Sequence, residues 1–130
     1  MKKFTVLILS FSLLSIQCKQ IDKMFGKNKL FFEVTNLDTK TYDDVKVYSC
    51  YSRDEKYRFD SLSFSINPQE IKSFTWEDPI LKKSDGEFLI KAGDLEKYFG
   101  YYTNNALMQS EEVTVTIKED EIIVRTKVVD

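Results

Sequence analysis

From Leu30 onward the hydrophobicity of the chain alternates with a period of two residues, and no other feature restricts its fold as strongly. In LFFEVTN (Leu30 to Asn36), Leu30, Phe32 and Val34 fall on one side. A period of two belongs to strands with one buried face, because successive side chains leave opposite faces of a pleated backbone. The pattern returns in DVKVYSCY (Asp44 to Tyr51), where Val45 and Val47 oppose Lys46 and Tyr48, and in LSFSI (Leu62 to Ile66), whose serines face outward. It returns again in EVTVTI (Glu112 to Ile117) and IIVRTKVV (Ile122 to Val129). β-Branched and aromatic residues dominate these runs, as strands prefer.

The segments between these runs read as turns. Asn67-Pro68-Gln69-Glu70 carries the Asn and Pro of a type I turn and is expected to pair Ile66 with Ile71 in a hairpin. Ile71, Phe74 and Trp76 cannot share a face by strict alternation, which predicts a β-bulge near Lys72–Ser73. Lys118-Glu119-Asp120-Glu121 closes the last hairpin, and Ser84-Asp85-Gly86 opens a strand around Phe88 to Lys91. Asp94 to Phe99 (DLEKYF) alone reads as a short helix, with Asp94 as its N-cap. The sum is seven or eight strands in about one hundred residues, the spacing of a small antiparallel sandwich. An immunoglobulin-like β-sandwich over residues 30–130 is therefore expected. A small eight-stranded β-barrel is the alternative, since it too buries one face of every strand.

The N-terminus has a different character. Lys2 and Lys3 precede the uncharged apolar run Phe4 to Ile16, about thirteen residues long. Such a run suits the h-region of a signal peptide and falls short of the roughly twenty residues a spanning helix needs. It ends in LLSIQC (Leu13 to Cys18), which resembles the lipobox of bacterial lipoproteins, in the looser form seen in spirochaetes and Bacteroidetes. The family pattern has an aliphatic residue three before the cysteine and a small one directly before it; here those places hold Ser15 and Gln17. The resemblance implies cleavage before Cys18, lipidation of its sulfur and amine, and membrane attachment. Lys19 after the cysteine implies transfer to the outer membrane. One acyl chain binds a bilayer weakly, at about 0.8 kcal/mol per buried methylene, whereas several on one residue hold durably. Residues 1–17 are then the signal peptide, and 18–29 a lipid-anchored tether that keeps the domain within roughly 40 Å of the bilayer.

Removing residues 1–17 takes away two lysines and no acid, so the formal charge of −2 becomes −4. With no basic cluster to compensate, nucleic acid is excluded as a partner. Cys50 has no partner if Cys18 is lipidated, and is then expected to be a small buried residue with an inert thiol. A Cys18–Cys50 bridge is the alternative if Cys18 carries no lipid.

Catalytic chemistry finds little support. The chain has no histidine, the usual base of hydrolytic triads and the commonest metal ligand. The carboxylate groups Glu77/Asp78, Glu111/Glu112 and Glu119/Asp120/Glu121 sit at strand ends or in turns, where charge is usually solvated. Asn36, Asp38, Asp43 and Asp44 do not follow the spacing of a compact calcium loop. No metal or cofactor is expected. Aromatic residues remain: Tyr98, Tyr101 and Tyr102 near Gly100, and Tyr57 in the charged tip Ser52 to Asp60. Tyr101 and Tyr102 must face opposite ways, so one belongs to the core and the other meets solvent. These four tyrosines are the candidate contacts of a non-enzymatic envelope module that binds a protein or glycan. Alternatives are an inhibitor protecting against an attacking enzyme such as lysozyme, and a carboxylate-dependent hydrolase.

Overall fold

The computed structural model describes residues 28–51, 54–77, 79–81, 85–104 and 106–129. The segment read as a signal peptide, Cys18 and most of the expected tether lie outside the described residues. Eight strands form: β1 (Lys29–Asn36), β2 (Tyr42–Cys50), β3 (Arg58–Ile66), β4 (Ile71–Glu77), β5 (Asp85–Ala92), β6 (Leu95–Thr103), β7 (Glu111–Ile117) and β8 (Ile122–Val128). They make two four-stranded sheets, ordered β4-β1-β7-β8 (sheet A) and β3-β2-β5-β6 (sheet B). The result is a sandwich with open edges, not a closed barrel. Its strand order is distinct from the A-B-E-D and C-F-G sheets of immunoglobulin constant domains. Here β1 pairs antiparallel with β4 and parallel with β7.

Alternation explains the core. Leu30, Phe32 and Val34 of β1, Val45 and Val47 of β2, and Val113, Val115 and Ile117 of β7 point between the sheets and are buried. Aromatic rings join the two layers. Phe32 and Phe74 of sheet A stack at 5.0 Å, and Phe32 meets Phe99 of sheet B edge-on at 6.0 Å. Trp76 meets Phe88 edge-on at 5.9 Å, and Phe88 packs on Phe99 and Tyr102. Each such pair contributes about 0.5–1.5 kcal/mol beyond its buried area.

Four local expectations need correction. Asp94 to Phe99 is no helix: Leu95 starts β6, and Gly93-Asp94 is the two-residue turn of a β5–β6 hairpin. Gly93 has φ +57°, and glycine at the first turn position with positive φ is the signature of a type II′ turn. Among the described residues the one helical element is a 3₁₀ turn at Glu55–Tyr57. Ile66 and Ile71 do not pair either, because β3 and β4 belong to different sheets and the Asn67–Glu70 turn crosses between them. That turn has Gln69 at φ +63°, as type II requires and type I does not. Finally, β4 keeps an unbroken register with β1 from Ile71 to Glu77. Phe74 and Trp76 face inward while Ile71 stays 61 % exposed at the sheet edge, so no bulge is needed. A bulge occurs instead in β6, where Phe88 pairs with Phe99 and Gly86 with Tyr102, leaving one extra residue at Gly100–Tyr101. Gly100 has φ +63°, a conformation that glycine alone adopts without strain.

Candidate interaction surface

The β6 bulge decides where the candidate tyrosines go. With one residue inserted, Phe99 and Tyr102 both turn into the core, while Tyr98 and Tyr101 both turn out. Tyr102 is fully buried, so its ring is not available at the surface. It donates to the Cys50 carbonyl at 3.3 Å, and burial pushes its phenol up to about 12. Tyr101 is 57 % exposed. Tyr57 is half-buried at the β2–β3 connection, where its ring meets Tyr51 edge-on at 5.4 Å and lies under the Lys56 ammonium.

The outer face of sheet B holds a second apolar cluster that alternation alone leaves unexplained. Phe88 and Ile90 of β5 point into the core, so Leu89 must point outward. Yet Leu89 is 0 % exposed. Its cross-strand neighbours are Tyr48 on β2 and Tyr98 on β6, which stand on either side of it. The Arg58 guanidinium lies 4.8 Å from the centre of the Tyr48 ring. Cys50 shares this face: it is buried, carries a free thiol, and its Sγ donates to the Glu87 carbonyl at 3.3 Å. Burial, helped by the Glu87 charge, pushes the thiol up to about 11. At neutral pH it is therefore a protonated, unreactive group. Half-buried Lys46 and Lys91 complete the face toward the β5–β6 turn.

Tyr48 is the residue of this face that sequence reasoning missed. The signal was the run Phe88-Leu89-Ile90: three consecutive apolar residues mark a strand covered on both faces, and something must cover the outer one.

Among the described residues the carboxylates offer no comparable convergence; Asp78 lies outside them. Glu111 and Glu112 are successive residues of β7 and leave opposite faces of sheet A. Glu119, Asp120 and Glu121 stand exposed in the β7–β8 turn. Asn36 and Asp38 are buried and engaged internally. The Asn36 carboxamide donates to the Lys40 carbonyl at 2.9 Å and accepts from the Asp38 amide at 3.0 Å. Asp38 accepts from the Tyr42 hydroxyl and from the Thr39 amide, both at 2.6 Å. The Tyr42 hydrogen bond, with smaller contributions from Thr39 and Lys40, outweighs burial and holds the Asp38 carboxyl below its ordinary range. Burial and the same carboxylate push Tyr42 up to about 12.

No protein-family model and no curated protein matches the sequence. A solved structure does resemble the fold. The T6SS lipoprotein TssJ1 from Pseudomonas aeruginosa superposes with a TM-score of 0.54, at 7% sequence identity, over 80% of this chain and 99% of its own. The two proteins share the sandwich architecture; at that identity the likeness concerns the fold alone.

Proposed function

We propose that this protein is an envelope lipoprotein, anchored through lipid on Cys18, whose sandwich binds another envelope protein without catalysing a reaction. One observation carries the reading: a sandwich of the shape found in a T6SS lipoprotein begins eleven residues after a cysteine that closes a signal-peptide-like segment. The proposed contact surface is the outer face of sheet B around Tyr98, with Tyr48 and Arg58 beside it. An apolar floor at Leu89, aromatic walls and flanking cations suit the core-and-rim make-up of protein interfaces, where Tyr and Arg are enriched. The divergence of Glu111 and Glu112 speaks against the hydrolase reading.

Two measurements test it. Metabolic labelling with a tagged fatty acid should mark the wild-type protein and not Cys18→Ala. A photo-crosslinking amino acid placed at Tyr98 should give a discrete protein adduct in intact envelopes, while the same group at Thr114, on the outer face of sheet A, should not. An unlabelled wild type would refute the anchor, and equal or no adducts at the two positions would refute the surface.

A further inference from the structure

The two ends of the sandwich differ in how many large apolar side chains they expose, and the difference correlates with where the chain enters. Nine large apolar side chains are exposed among the described residues, and six of them (Tyr51, Ile80, Tyr101, Met108, Val128 and Val129) gather at the end where β1 begins. Hydrogen bonds fix that grouping. The Asn28 carboxamide donates to the Leu107 carbonyl at 2.7 Å, and the Lys29 amide donates to the Ser110 hydroxyl at 3.0 Å, which places Met108 beside the entering chain. The Val129 amide donates to the Ser110 carbonyl, bringing the two valines to the same place. The Ile80 carbonyl accepts from the Ser49 hydroxyl at 2.7 Å, at the end of β2 that carries Tyr51. Tyr101 lies opposite the first residues of β5 on the adjoining edge. Met108, 68 % exposed, is the most prominent of the group. Exposed carboxylates stand at both ends: Asp54, Glu55, Glu77 and Asp85 at the near one, and Asp43, Asp44, Asp94 and Glu119, with Lys40, around a concavity at the far one.

We infer that the end carrying Met108 is a lipid-facing surface that rests on the bilayer to which Cys18 is tethered. The inference rests on the lipid-anchor reading. Nine residues lie between Cys18 and Asn28, a reach of at most about 35 Å. Strands of seven to nine residues make the sandwich roughly 25–30 Å long, so turning the far end to the membrane would consume most of the tether. The near end meets the lipid first, and it presents the apolar and tyrosine side chains that favour the membrane–water interface.

The test couples the Cys18 thiol of the chain from residue 18 onward to a maleimide lipid in vesicles of phosphatidylethanolamine and phosphatidylglycerol; buried Cys50 does not compete. Hydrogen exchange is compared with the same chain capped at Cys18 in solution. Amides of residues 106–110 and 128–129 should exchange more slowly by about tenfold, while those of 37–41 and 118–121 should not change. Replacing Met108→Glu and Val129→Glu together, at exposed positions that leave the core intact, should remove the protection. Equal exchange with and without vesicles would overturn the inference, as would protection that survives the double replacement. Protection that requires added envelope protein would also overturn it, identifying a protein as the occupant. The acyl mass on Cys18 is read separately from membrane-extracted protein. A missing acyl group counts against the anchor alone, and an acylated chain whose vesicle-coupled form shows no protection counts against the docking alone.

Discussion

Tyr102 lies across Gly86 in the β5–β6 ladder, and its hydroxyl reaches over that residue to the Cys50 carbonyl on β2. A Cβ at position 86 would overlap both the phenol and that carbonyl oxygen. The absent side chain is what lets one tyrosine link three adjacent backbone segments while its ring packs on Phe88.

Gly86→Ala should therefore destabilise the protein by about 1–3 kcal/mol, the usual cost of overpacking a filled core. Tyr102→Phe keeps the ring and loses only the hydrogen bond, so it should cost no more than about 1 kcal/mol. Urea unfolding of both variants checks the order; Gly86→Ala as stable as the wild type would contradict the packing described.

The β5–β6 turn gives a second pair. Gly93→Ala forces a side chain into the left-handed region and should cost about 1–2 kcal/mol, whereas Asp94→Ala should be almost neutral. A helix capped by Asp94 would give the opposite ranking. Thermal denaturation of the two variants separates the cases.

Acid should loosen the β1–β2 connection through Asp38. Its folded pKa lies below the unfolded one, so its contribution is present above the unfolded value and is lost as pH falls through the folded value. Tyr42→Phe removes the largest cause of that shift. The variant should show a shallower loss of stability between about pH 5 and pH 2 than the wild type, measured by urea midpoints across that range.

Alkali should act through three other groups. Cys50, Tyr42 and Tyr102 all have folded pKa values raised, to about 11, 12 and 12. Their contribution is complete below the unfolded values and is lost as pH rises through the folded ones, because the unfolded chain releases those protons first. Urea midpoints should fall as pH rises above about 9, and the double variant Tyr42→Phe/Tyr102→Phe should flatten that fall. In the native protein at neutral pH, Cys50 should react with a thiol reagent far more slowly than in denaturant.

Seven of the eight strands were legible: six bury one face, which writes itself into the sequence as a period of two, and β5, covered on both faces, stood out as a short apolar run opened by a turn. The eighth was not: DLEKYF alternates Leu95, Lys97 and Phe99 on the inner side, but an exposed lysine at a sheet edge hides the repeat. Alternation also separated Tyr101 from Tyr102 and assigned one to the core. Which one was buried depended on the Gly100 bulge, a matter of pairing with β5 that adjacent residues do not encode.

The sequence by itself determined the all-β class, the outward serines of β3, the final hairpin and the scarcity of catalytic side chains, because each of these follows from local alternation, turn chemistry or residue type. Only the tertiary structure decided that β3 and β4 part into different sheets, that Tyr48 and Tyr98 enclose Leu89 on the outer face, and that the exposed apolar residues collect around Asn28. Those relationships join residues far apart in the chain, and strand order brings them together. No local pattern records that order, since every strand would bury the same face in several different arrangements.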